Sequence, residues 1–238
     1  MKLVHERVVL TAESGAIEGL LVYPEGTIAA GRMLLHAPHP LLGGTMDHPV
    51  ILALLDACAG LGYAALVWQY RVLGESASRE AGAAREAFWT DQRFDPRTAP
   101  DMADARRVAR LLRELPLGTD VGIVAVGGYS YGALIALSQA EELKTPALAV
   151  SPPLRALQAP VRLILGSVVL LAENDFAITE EELRIHTGLG RQSPSVRIIP
   201  DTDHLFVGQG EALGAEARQW LAQFKLSSSS AFQASSLL

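Results

Sequence analysis

The stretch from Val121 to Ala133 constrains this chain more than any other. An apolar, β-branched run meets Gly128-Tyr129-Ser130-Tyr131-Gly132, and the apolar residues Leu134 to Leu137 follow at once. A strand that must reverse into a helix within so few residues forces the central serine into a strained backbone conformation and lifts its hydroxyl out of the sheet. The flanking glycines leave room for strand and helix to approach closely. The pattern Gly-x-Ser-x-Gly also describes a glycine-rich turn with a surface serine. The strand before it and the helix after it favour the nucleophile, because the amides following Ser130 then lie at a helix N-terminus, where donors and dipole favour an anion.

The rest of the chain supplies a sheet for that turn. Residues 3 to 10 and 16 to 23 read as two short strands around Glu13-Ser14-Gly15, an antiparallel pair. Met33 to His36 is a buried strand, and Ala37 to Met46, with two prolines and two glycines, is the loop after it. Pro49 to Leu61 reads as a helix apolar on most faces, Tyr63 to Trp68 as the next strand, and Asp101 to Leu115 as an amphipathic helix with its arginines in solvent. Ala147 to Val150, Val168 to Ala172 and Val196 to Pro200 are further strands, with Val161 to Gly166 ambiguous. Glu180 to His186 is a helix, and Leu213, Ala217, Trp220, Leu221 and Phe224 mark a terminal one. This alternation implies right-handed crossovers and a mostly parallel central sheet with helices on both faces, an α/β class.

At 238 residues, 49% hydrophobic and 19% charged, the chain suits one domain over 1–226, with an excursion at 74–100 around Phe88, Trp89 and Phe94 that could wall a pocket. Residues 227–238 are serine-rich and aperiodic and read as a disordered tail. A net charge of −6 with scattered basic residues argues against a nucleic-acid partner. Cys58, the single cysteine, reads as core. An early run of charge and the want of a long apolar segment point to a cytoplasmic protein with no membrane partner.

A serine hydroxyl is a weak nucleophile until a base accepts its proton, and the base needs an acid to fix its tautomer. In folds with this turn the order along the chain is serine, acid, histidine. Two histidines follow Ser130. His186 falls within a helix, whereas His204 directly follows a strand and is the better base. Asp175 follows the preceding strand and is the preferred acid, with Glu173 as its competitor; Asp201 and Asp203 read as shaping the histidine loop. Charge developing on a carbonyl oxygen needs donors. The Tyr131 amide is one, and Leu41 or Leu42 the other, because Pro38 and Pro40 cannot donate. His39, set between those prolines, reads as an orienting residue at the pocket, and Tyr70, Trp89 and Tyr129 complete the expected substrate contacts. His36, His39, Asp47 and His48 are dense but do not suggest a metal site, and no cofactor is expected. A phosphate-loop lysine is missing beside the glycines of the turn.

The stretch His36-Ala37-Pro38-His39-Pro40-Leu41-Leu42-Gly43-Gly44-Thr45-Met46, with Gly-Tyr-Ser-Tyr-Gly and Asp-His-Leu-Phe, resembles a bacterial α/β-hydrolase group related to the dienelactone-hydrolase-like enzymes, over residues 30 to 225. The resemblance implies the α/β-hydrolase fold, a Ser130, Asp175, His204 triad, and oxyanion support from the loop at Leu41. Ala37 stands where the group has a first histidine and Val72 where it has a glycine, and both flank the pocket. The expected activity is hydrolysis of an ester, thioester or lactone of a small acyl substrate. Acyl transfer or a non-hydrolytic cyclisation on the same pocket is the alternative, and a non-catalytic binding protein the least favoured. A homodimer stays open.

Overall fold

The computed structural model describes residues 2–12, 15–40, 43–71, 95, 97, 99–157, 160–188 and 195–234. Eight strands form one sheet in the order β1-β2-β4-β3-β5-β6-β7-β8. They span Leu3–Ala12 (β1), Gly15–Pro24 (β2), Arg32–His36 (β3), Ala64–Trp68 (β4), Ile123–Tyr129 (β5), Ala147–Val150 (β6), Val168–Asn174 (β7) and Val196–Asp203 (β8). β1 with β2 and β2 with β4 are antiparallel, and every other pair is parallel. The central strands β3, β4 and β6 are buried along their whole length. That is why they read as continuous apolar runs rather than alternating ones.

The helices are Pro49–Gly60 (α1), Pro100–Glu114 (α2), Tyr131–Leu143 (α3), Glu180–Thr187 (α4) and Gly210–Ala234 (α5). The chain passes from β3 through α1 to β4 on one side, then through α2 back across β3 to β5 on the other. Right-handed crossovers in opposite directions place the two helices on opposite faces. α1 packs with α5, and α2 with α3. The reversal also opens a crevice beyond the C-terminal ends of β3 and β5, where ligands of open α/β sheets collect.

Several boundaries differ from the sequence reading. β7 continues through Asn174, so Glu173 lies on a strand and not in a loop. β8 continues to Asp203, with a register shift that pairs Asn174 with Asp203. Asp201, at φ 54°, takes up the extra length, and its N–H donates to the Glu173 carboxylate at 2.9 Å. Val161 to Gly166 forms no strand. α5 runs on to Ala234, into the serine-rich stretch that composition sets outside the domain; helical hydrogen bonding propagates cheaply once a docked apolar stripe has nucleated it. On α2 the buried face carries Asp101 and Asp104 besides its apolar residues. The Arg71 guanidinium meets Asp104 through two hydrogen bonds of 2.5 Å, so that buried carboxylate is paired. Among the described residues no helix is long and apolar enough to cross a membrane.

Candidate active site

Ser130 sits between β5 and α3 at φ 53°, ψ −120°, a conformation costly for a residue with a side chain. Register holds it there. His36 pairs with Gly128 and Tyr129 with Val150, and the Ser130 N–H donates to the Val150 carbonyl at 2.9 Å. A Cβ on Gly132 would lie 2.2 Å from the His36 carbonyl oxygen, and one on Gly128 would lie 2.3 Å from that of Gly132. The two glycines of the motif are therefore contact surfaces: helix α3 starts directly against the end of β3.

His204 and Asp175 arrive from the ends of β8 and β7. His204 Nε2 lies 3.0 Å from Ser130 Oγ, and Nδ1 lies 2.9 and 3.2 Å from the two Asp175 oxygens. An ionised carboxylate only accepts, so Nδ1 carries the proton and Nε2 is left to accept from the serine. Asp175 Oδ1 also accepts from the N–H groups of Ala177 and Ile178 at 2.9 and 3.3 Å, which locks the carboxylate against the ring. Its side chain is 1% exposed. Glu173 is engaged with Asp201, so the competitor for the acid position is held away from His204. Asp203 shapes the histidine turn, accepting from the Leu205 N–H at 2.9 Å. His186 lies on α4, as its spacing suggested.

Tyr129 fixes the other end of the histidine. Its hydroxyl donates to the His204 carbonyl at 2.7 Å, and its ring stands 5.6 Å from the imidazole. Burial first, then the charges of Asp175 and Asp203, raise its pKa and keep it a neutral donor. Tyr131 opens α3, and its hydroxyl donates to buried Asp101 at 2.6 Å. Its ring packs edge-on against His39 and Tyr70, with centroids 5.0 and 5.7 Å apart. The other expected oxyanion donors, Leu41 and Leu42, lie outside the described residues, as does Trp89.

A cavity of about 370 Å³ opens over the serine, lined by Pro38, His39, Tyr129, Pro153, Phe176 and Leu205 among others. His39 and Tyr129 thus stand where substrate contacts were expected. Tyr70 does not. It is fully buried beneath the site, its ring against Trp68, and its hydroxyl donates to the Ala37 carbonyl at 2.8 Å. Nor do the four clustered polar residues converge. Asp47 pairs with Arg7 on the surface, while His36 is enclosed by Trp68 and Gln139.

Among the cavity residues that the sequence did not assign to the pocket are His48, Arg155 and Phe176. The Phe176 ring lies 5.0 Å from the His204 ring, and its position directly after Asp175 was the available signal. Arg155 follows the turn after β6 and forms an ion pair with Glu182. That pairing, with the Thr179 amide and hydroxyl, holds the Glu182 carboxyl down to about 2.

No protein-family model and no curated sequence matches the chain. Solved structures do. An α/β serine hydrolase homologue from Coxiella burnetii aligns with a TM-score of 0.69 at 20% identity, covering 90% of this chain and 96% of that one. A serine hydrolase without a lid from Xanthomonas campestris gives 0.74 at 20%, covering 92% and 94%. A protein of unknown function from Agrobacterium tumefaciens gives 0.72 at 19%, covering 93% and 97%. With the sheet order above, these likenesses establish the α/β-hydrolase fold.

Proposed function

We propose that this protein is a serine hydrolase that cleaves an ester, thioester or lactone of a small molecule, with Ser130 as nucleophile, His204 as base and Asp175 as its orienting acid. One observation carries the reading: the unbroken relay from Ser130 Oγ through both nitrogens of His204 to Asp175, at the floor of a cavity. The names of the structural neighbours and the resemblance of the His36 to Met46 loop to the dienelactone-hydrolase-like group support it.

In the acylation step Ser130 Oγ bonds to the carbonyl carbon while its proton passes to His204 Nε2. The carbonyl electron pair moves onto oxygen, beside the positive end of the α3 dipole and the Tyr131 amide. Collapse expels the alcohol or thiol, which takes the proton from Nε2. Water, deprotonated by the same nitrogen, then releases the acid and restores Ser130. Asp175 stabilises the imidazolium throughout without itself taking the proton. The three side chains supply all the proton transfers, and the scheme needs no cofactor.

Fluorophosphonate labelling followed by peptide mass spectrometry tests this. The expected adduct is on Ser130 in the wild type and absent from Ser130→Ala, whose turnover should fall on the order of 10⁶-fold. Folded wild-type protein without a Ser130 adduct would overturn the reading.

A further inference from the structure

His48 has an unusual double placement. It is the N-cap of α1, where its Nδ1 accepts from the Val50 N–H at 3.3 Å, and it also lines the cavity over Ser130. Accepting at Nδ1 places the ring proton on Nε2, the opposite edge of the imidazole. Among the described residues nothing takes up that Nε2–H. The ring itself is held against Tyr129, centroids 4.9 Å apart, and Tyr129 in turn holds the His204 carbonyl. A side chain whose tautomer is fixed by its N-cap bond therefore lines a cavity that is otherwise mostly apolar.

We propose that His48 contacts the substrate, its Nε2–H donating to an uncharged oxygen acceptor, an ether, hydroxyl or second carbonyl, in the acyl or alcohol part of an uncharged ester. This rests on the hydrolase reading above and names the substrate class for the same site. Burial, and then the proximity of His204, lower the pKa of His48, so it meets the ligand as a neutral donor with no ionic pull on a carboxylate. The cavity's cation, Arg155, is already neutralised by Glu182. A pocket lined by Pro38, Pro153, Ala156, Phe176 and Leu205 gains from burying carbon. A half-buried neutral donor in that lining favours a substrate that places an oxygen there, since ligand binding that removes the donor from water without supplying an acceptor is costly.

Matched esters test the inference in the full-length protein. One pair differs in the acyl part, 4-nitrophenyl butyrate and 4-nitrophenyl methoxyacetate; the other differs in the alcohol, butyl butyrate and 2-methoxyethyl butyrate. Within each pair an ether oxygen replaces a methylene. His48→Ser keeps a good N-cap and removes the long donor. Any general loss of activity, and the intrinsic reactivity of each ester, cancels in the ratio of ratios. The wild-type preference in kcat/KM for the ether member should exceed that of His48→Ser by about tenfold in one of the pairs. A second readout uses ¹⁵N-histidine-labelled Ser130→Ala. Its His48 Nε2 signal should be that of a protonated ring nitrogen and should shift saturably with the ether ester but not with its hydrocarbon twin. If the wild type turns the esters over and both ratios of ratios are one, the proposal is overturned and the hydrolase reading stands. If the wild type cleaves none of them, the ester-hydrolase reading falls, and the Nε2 shift decides: selective for the ether it supports the contact, unselective or absent it overturns it.

Discussion

Two histidines, His36 at the end of β3 and His204 after β8, are both almost fully buried and both use both ring nitrogens, yet they are prepared for opposite work. Around His36 the partners are neutral. Trp68 Nε1–H donates to Nδ1 at 3.1 Å, and Nε2 faces the Gln139 Oε1 at 2.9 Å. Since the indole can only donate, Nδ1 is bare and Nε2 carries the proton. Around His204 the tautomer is reversed, because Asp175 claims a proton at Nδ1 and leaves Nε2 facing the serine. Burial lowers the His36 pKa to about 4, with the Gln139 contact pulling the other way. In the proposed mechanism the feature that sets His204 apart from His36 is thus the carboxylate behind it, which fixes the opposite tautomer, not the burial or the number of hydrogen bonds.

The strongest way to break this contrast is Asp175→Asn. Oδ1 would keep its bonds from Ala177 and Ile178, so the amide NH₂ takes the Oδ2 position, 3.2 Å from His204 Nδ1, where it can only donate and so favours the proton on Nε2, the arrangement His36 already has. Turnover should fall about ten-thousandfold with the fold intact, measured by steady-state kinetics beside near-ultraviolet circular dichroism. Near wild-type kcat in the Asp175→Asn protein would show that Asp175 is not the orienting acid.

Next in size is a stability effect at His36. As pH falls through the ordinary histidine value of 6.5 the unfolded chain takes up a proton, whereas the folded chain resists until about 4. Over that window the group removes stability progressively, on the order of 3 kcal/mol, and it adds no slope above or below. Urea unfolding at pH 7 and pH 4.5 should show this slope in the wild type and a flatter one in His36→Gln. Ser130 labelling should survive the substitution. An unchanged slope would mean that His36 is not held neutral by the fold.

The smallest effect sharpens the contrast rather than breaking it. Tyr129→Phe removes the hydroxyl that tethers the His204 carbonyl, a tie that His36, inside a strand, does not need. A loss of about 1 kcal/mol in unfolding free energy is expected, with a several-fold fall in kcat and little change in KM. A stability loss without any change in kcat would assign the tether to packing alone.

The chain told much of this in advance where the signals were local. The strand, turn and helix around Ser130 are consecutive in sequence, and of the two histidines that chain order allows, His204 stands out because it directly follows a strand whereas His186 falls within a helix. Choosing Asp175 over Glu173 was harder, since the answer depends on β7 and β8 pairing past Ala172 and on Asp201 lending its N–H to Glu173. Pairing between strands far apart in the chain leaves no periodic trace. Tyr70 looked like a pocket residue by its place after β4, but the stacking of Trp68, Tyr70 and Tyr131 draws it inward. His48 was hidden for another reason: histidine is not among the residues favoured at helix starts, so its capping role has no sequence signature.

The close seat of Gly132 on the His36 carbonyl also bears on when the proposed nucleophile would be assembled. Ser130 and His204 are 74 residues apart, and Asp175 is 29 from His204. They meet only after β3, β5, β6, β7 and β8 have lined up in parallel, the kind of long-range pairing that forms late and slowly. If Ser130 is the proposed nucleophile, it is an ordinary alcohol until then, and a nascent or misfolded chain carries no activated serine. Reactivity toward a fluorophosphonate would therefore serve as a clock for the last stage of folding, striking only when the far edge of the sheet has closed.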